Sequence, residues 1–183
     1  MDEGVLTRDG RTLVYREGDA PNRDIFYVLR GAAAEPHPFA TTQFDERSPA
    51  ISPDSRWIAY VSNESGRDEV YARPFPQGDG RWQVSAAGGV EPRWSPNGRE
   101  LFYRNGDTLI AAQVRTQPSF AAVQRVALFS GRYEGNVSHA SYDVHPDGQR
   151  FIFVQTGEGS EDLILVQNFL GTGKRAGSRE RER

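Results

Sequence analysis

Hydrophobic residues recur in short alternating runs, not at helical spacing. Leu13-Val14-Tyr15, Ile25-Phe26-Tyr27-Val28, Trp57 to Val61, Val70-Tyr71-Ala72, Leu101-Phe102-Tyr103, Leu109 to Ala112, Phe151 to Val154 and Leu163 to Val166 are rich in β-branched and aromatic residues and bounded by Gly, Pro, Asp or Asn. Between Gly4 and Leu170 no amphipathic stretch of ten or more residues has helical period. The pattern predicts an all-β fold.

Four segments align by eye: Arg8-Asp9-Gly10-Arg11-Thr12-Leu13-Val14-Tyr15, Pro53-Asp54-Ser55-Arg56-Trp57-Ile58-Ala59-Tyr60, Pro96-Asn97-Gly98-Arg99-Glu100-Leu101-Phe102-Tyr103 and Pro146-Asp147-Gly148-Gln149-Arg150-Phe151-Ile152-Phe153. Each reads as a turn followed by a strand. Proline presets the first corner, Asp or Asn bonds the backbone two residues on, and Gly accepts the positive φ that closes the turn; Ser55 replaces Gly in the second copy and weakens that turn. The anchors Asp9, Asp54, Asn97 and Asp147 are 43 to 50 residues apart, the spacing of a four-stranded propeller blade.

The remaining strands follow at regular offsets. Asp24 to Val28, Glu69 to Arg73 and Asp162 to Val166 each begin nine residues after the repeat's last aromatic, and Asn105-Gly106 makes a tight hairpin into Thr108 to Ala112 in the third copy. A third strand is expected at Phe39 to Phe44, Arg81 to Ser85 and Arg125 to Phe129, and a closing strand at Ser48 to Ser52, Glu91 to Ser95 and Ala140 to His145. Bulky residues on both faces of the repeat strand indicate a sheet packed between two neighbours. The expected fold is therefore a β-propeller of four-stranded antiparallel blades, about four in number. The chain opens on a strand whose partner would precede it and ends on the second strand of the fourth unit, which predicts a partial or truncated propeller with about three complete units. Two arrangements remain: a four-blade ring completed by the N-terminal strands, or an open arc of a larger ring whose free edges invite self-association.

Composition narrows the function. There are 22 basic and 25 acidic residues, a net charge of −3 that makes no case for nucleic acid. The basic residues Lys174, Arg175, Arg179, Arg181 and Arg183 concentrate in residues 171–183, which read as a flexible tail behind a repeat domain of residues 1–170. With no cysteine there are no disulfides or thiolate sites, and redox compartment is left open. The N-terminus has no signal-peptide pattern and no run approaches a membrane span, so a soluble chain is expected, periplasmic or cytoplasmic according to the N-terminal segment that precedes it.

The run Ser52-Pro53-Asp54-Ser55-Arg56-Trp57-Ile58-Ala59-Tyr60-Val61-Ser62-Asn63-Glu64-Ser65-Gly66-Arg67, with Val70-Tyr71-Ala72-Arg73-Pro74-Phe75-Pro76, Trp82-Gln83-Val84-Ser85 and Pro92-Arg93-Trp94-Ser95-Pro96, resembles the WD-like repeats of TolB-like bacterial propellers. It looks most like the C-terminal propeller of bacterial proteins whose N-terminal part is a serine/threonine kinase or a DNA-binding regulator. The resemblance extends to about Phe169 and implies a scaffold or sensor that binds partners. It also implies a truncated or split member, with any kinase on a segment outside this chain: no Gly-rich loop, strand Lys, HRD or DFG is present.

Catalytic and metal chemistry find little support. His37, His139 and His145 are the only histidines and form no HxH or HxxxH pair, and Asp9, Asp54 and Asp147 read as turn residues, not calcium ligands. Gly157-Glu158-Gly159-Ser160-Glu161 lacks the spacing of a nucleophile elbow, and Gly171-Thr172-Gly173-Lys174 lacks two residues of a phosphate loop. No cofactor is expected. The expected function is non-catalytic binding of a protein or peptide, or of a small ligand at the propeller mouth, with an accessory domain of an enzyme as the alternative. Candidate partner-binding residues are Arg73, Arg93 and Trp94, together with His139 just before a closing strand.

Overall fold

The four anchors fold as one turn made four times. Asp9, Asp54, Asn97 and Asp147 each accept the amide two residues on, at 3.0, 3.1, 2.9 and 2.8 Å. In the first three, a hydroxyl two residues earlier (Thr7, Ser52, Ser95) donates to the anchor at 2.7, 2.6 and 2.9 Å. In the fourth, His145 holds the hydroxyl's place and its Nδ1 accepts the Asp147 amide at 3.2 Å. The closing residues Gly10, Gly98 and Gly148 have φ of 67°, 69° and 71°, and Ser55 is forced to 57° in their company, a left-handed conformation that glycine adopts without penalty and serine does not.

The computed structural model describes residues 3–31, 35–135, 139–157 and 160–167. Among these there are fifteen strands and no helix. β1 (Glu3–Leu6), β2 (Thr12–Glu17), β3 (Asp24–Leu29) and β4 (His37–Ala40) form the first sheet, and β5 (Arg47–Ile51), β6 (Trp57–Ser62), β7 (Glu69–Pro74) and β8 (Trp82–Gln83) the second. β9 (Val90–Trp94), β10 (Glu100–Asn105), β11 (Thr108–Arg115) and β12 (Ala121–Ser130) form the third; β13 (Tyr142–Val144), β14 (Arg150–Gly157) and β15 (Ser160–Gln167) form a three-stranded fourth. All pairings are antiparallel meanders, as a propeller requires.

Two expectations are corrected. Each predicted closing strand pairs with the strand after the turn and so opens its own sheet, because the anchor turn is a hairpin joining the first two strands of one sheet. Likewise β1 supplies the partner that the first repeat strand was expected to lack, with Val5 opposite Val14 and Leu6 opposite Leu13. The third strands are shifted and resized, most of all β8, which is reduced to two residues. The tail at 171–183 and the phosphate-loop-like stretch lie outside the described residues, as do Glu158 and Gly159 of the Gly157 to Glu161 segment.

Alternation along each strand gives every sheet a leading face toward the next sheet and a trailing face toward the previous one. Leading Val14, Ile25 and Tyr27 pack on trailing Ile58, Tyr60 and Tyr71. Leading Ala59, Val61, Val70 and Ala72 pack on trailing Trp94, Leu101 and Tyr103, and leading Phe102 and Ala111 on trailing Tyr142, Phe151 and Phe153. Phe102 meets Phe151 edge to face at 4.8 Å, the arrangement that the ring quadrupoles favour. Three clusters thus join four sheets in series; none among the described residues joins the fourth to the first, so the ring is open.

Charges buried between sheets lock the series. Asp45, ahead of β5, takes a fork from Arg23 of the first sheet (Nε to Oδ1 2.7 Å, Nη2 to Oδ2 2.5 Å) and a further bond from Arg47 at 3.1 Å; Arg47 also pairs with Asp68. Burial pushes the Asp45 carboxyl up, but the Arg23 side chain and amide and the Arg47 charge outweigh it and hold the group below its ordinary value. Glu69, fully buried, accepts from Arg67 at 2.7 Å, from the Gly88 amide at 3.0 Å and from Ser85.

Candidate partner-binding recess

Pro49 and Pro92 occupy the same place in β5 and β9, and each follows a residue in the left-handed region, Ser48 at φ 53° and Glu91 at φ 56°. Pairing slips by a residue at both places, the signature of a bulge that re-aims side chains. At the third sheet this sends the buried Glu91 carboxylate forward, where Oε2 accepts the Ser141 amide at 2.8 Å and Oε1 accepts Arg104 at 3.2 Å. The Glu91 carbonyl also accepts the Tyr142 hydroxyl at 3.0 Å. Glu3 does the same at the equivalent place in β1, with Oε2 accepting the Ser48 amide of the second sheet at 3.2 Å. A carboxylate at this position therefore latches the first strand of the next sheet. Burial lifts the Glu3 carboxyl to about 7, against the opposing pull of Arg93, the Ser48 amide, Arg16 and Arg23.

Two residues after Glu91, Arg93 stands opposite Phe102 on the leading face of the third sheet. It is half-buried, and its Nε is buried with no hydrogen-bond partner among the described residues. Arg23, Arg47 and Arg104, by contrast, are held in ion pairs. Arg93 lines a recess of about 460 Å³ with His139, Ser141, Tyr142 and Asp143, walled by Ile152, Val154 and Leu163. Ile152 is 41% and Leu163 68% exposed. The recess so combines an apolar wall, an Arg Nε without a hydrogen-bond partner among the described residues, an exposed imidazole and an acidic rim. Burial raises the Tyr142 hydroxyl far above its ordinary value, so it stays a neutral donor.

Of the four sequence candidates, Arg93 and His139 meet here. Arg73 does not: its Nη1 donates to the Phe39 carbonyl at 2.6 Å and its guanidinium lies 5.0 Å from the Phe39 ring, which ties the second sheet to the first. Trp94 faces the other way and is 8% exposed, its indole N–H donating to the Ala50 carbonyl at 3.1 Å inside the core between the second and third sheets. Its edge reaches a smaller hollow of about 210 Å³ beside Trp57 and the Asp54 and Asn97 turns. His145 is a turn residue bonded to Arg150. Among the described residues no three His, Cys, Asp or Glu side chains cluster as metal ligands, and no helix is long and apolar enough to cross a membrane. Sequence reasoning missed Ile152 and Leu163; their signal was the alternation with Phe151 and Phe153 in the fourth repeat.

No protein-family model matches the sequence, and no curated protein matches it. Solved structures do share the fold. TolB from Acinetobacter baumannii superposes with a TM-score of 0.60 at 16% identity, over 93% of this chain and 41% of that one. A TolB candidate from Agrobacterium tumefaciens gives 0.66 at 15% identity, over 91% and 61%. A puromycin-hydrolyzing peptidase of Mycobacterium tuberculosis gives 0.62 at 20% identity, over 90% of this chain and 29% of that one. The fold is a TolB-like β-propeller, present as a partial ring that spans less than two thirds of the structures it resembles.

Proposed function

We propose that this chain is a non-catalytic binding module that takes a protein or peptide segment in the Arg93 recess. The observation that carries the reading is the buried Arg93 Nε, which has no hydrogen-bond partner among the described residues, beside an exposed apolar wall and His139. A buried donor left unsatisfied costs about 1–3 kcal/mol, and a peptide carbonyl or carboxylate laid along the recess would recover it. Ile152 and Leu163 would receive an apolar side chain, and the antiparallel scaffold would hold the contacts in place with little rearrangement.

The test is selection of peptides from a displayed random library on the purified chain, followed by titration of the best binders against variants. Arg93→Ala is expected to weaken them roughly tenfold or more, equivalent to about 1.4 kcal/mol, and His139→Ala to weaken them less. Selected peptides whose affinity is the same for wild type and Arg93→Ala would move the site elsewhere.

A second reading makes the module an accessory domain of an enzyme. The likeness to a peptidase of which this chain matches only 29% favours it, and a serine/threonine kinase is the enzyme the repeat's resemblance implies. An open reading frame that continues upstream into a catalytic domain would support this reading; an in-frame stop there would count against it.

A further inference from the structure

The same sheet-to-sheet contact is made three times among the described residues, and its two halves recur uncovered on the first and the fourth described sheets. The trailing face is set by a fixed pair in the repeat: Ile58 and Tyr60, Leu101 and Tyr103, Phe151 and Phe153 all enter a core against the preceding sheet. Leu13 and Tyr15 are the same pair in the first sheet. There they line up with Leu6 and Val28, and with Phe26, in two apolar rows that no other described sheet covers. Leu6 is 59% exposed, Leu13, Phe26 and Val28 are half-buried, and Tyr15, stacked on Phe26, is 6% exposed. At the other end, Ile152 and Val154 occupy the leading positions that Ala59 and Val61 fill in the second sheet, where both are buried. They align with Leu165 and Leu163, which are 47% and 68% exposed.

We infer that these two faces meet between copies, the leading face of one fourth sheet packing on the trailing face of another copy's first sheet. The occupant is a second copy because the missing half of each contact is present on this chain, in the residue pattern that already forms three such contacts within it. A head-to-tail contact either closes or polymerises; here two copies close into a ring of eight sheets, within the roughly four to eight blades that propellers adopt. The contact covers Ile152 and Leu163, which also wall the recess, so a second copy and a peptide compete for them; it does not use the Arg93 guanidinium, and Arg93→Ala therefore tells the two apart.

Sedimentation velocity of the full chain over a wide range of concentration is expected to show a monomer–dimer equilibrium. Leu6→Glu and Leu163→Glu, on opposite faces, should each raise the dissociation constant at least tenfold, while Arg93→Ala leaves it unchanged. Mixing Leu6→Glu with Leu163→Glu should restore association, since one intact junction can form between them; mixing Leu163→Glu with Leu165→Glu, which damage the same face, should not. Thermal melts matching wild type would show that the variants are folded. A wild type that stays monomeric, a polymer that lengthens with concentration, or a mixture of Leu6→Glu and Leu163→Glu that fails to associate would each overturn the inference.

Discussion

Replacing Asp45 by alanine is expected to destabilise the fold by about 3–5 kcal/mol, the range for removing one partner of a buried ion pair. Asp45 is 4% exposed and answers two buried arginines, Arg23 through a two-pronged fork and Arg47 through a single bond. Its loss takes away the carboxylate that Arg23 forks onto, leaving it only the more distant charges of Asp68 and Glu3, while Arg47 keeps its bond to Asp68. Arg23 belongs to the first sheet and Asp45 leads into the second, so the damage falls on the junction between sheets and should appear as a lower urea midpoint. The pH dependence has a definite sign. Because the folded Asp45 carboxyl is held below its unfolded value, its contribution is present above the unfolded pKa of about 3.9 and is lost as pH falls through the folded one. The gap between wild type and Asp45→Ala, measured by urea titration at neutral pH and again in acid, should therefore narrow in acid.

Trp94→Ala is expected to cost about 3–5 kcal/mol, as for other large aromatics removed from a core. The ring fills the space among Ala50, Leu101, Ala112 and Val114, and its N–H satisfies the Ala50 carbonyl across the junction of the second and third sheets. Trp94→Phe should retain part of the packing and lose the hydrogen bond, with a loss of about 1–2 kcal/mol. Peptide affinity at the Arg93 recess should stay near wild type in the folded Trp94→Phe protein, since Trp94 and Arg93 point to opposite faces of β9. Chemical denaturation together with peptide titration would check both parts, and a selective loss of binding without loss of stability would return Trp94 to the recognition surface.

That separation of neighbours shows what the sequence could and could not convey. The anchor turns were legible because their hydrogen bonds are local: Asp9, Asp54, Asn97 and Asp147 bond within a few residues of themselves, so residue type and spacing carry the whole signal. Four strands per repeat were legible for the same reason, through alternation and hairpin residues. Which strand opens a sheet was not, because a closing strand and an opening strand have the same pattern and differ only in the partner they take. Arg93 and Trp94 were both legible as bulky residues beside a turn; the slip at Glu91 and the alternation of β9 decide that one faces the recess and the other the core. The latches escaped altogether. Glu91 reaches Ser141 and Arg23 reaches Asp45 across sheet boundaries, and a lone acidic residue near a strand end looks in sequence like an exposed one.

Among the described residues the four sheets form an open series in which the middle two are covered on both faces and the outer two on one. Amide hydrogen exchange resolved along the chain tests it directly, since protection follows burial and local opening. In dilute solution the amides of β6, β7, β10 and β11 should exchange slowest and together, those of β2, β3, β14 and β15 faster, and the latter should gain protection as concentration rises and the end faces meet. End sheets as protected as the middle ones at the lowest concentration, or four sheets exchanging independently of one another, would contradict it.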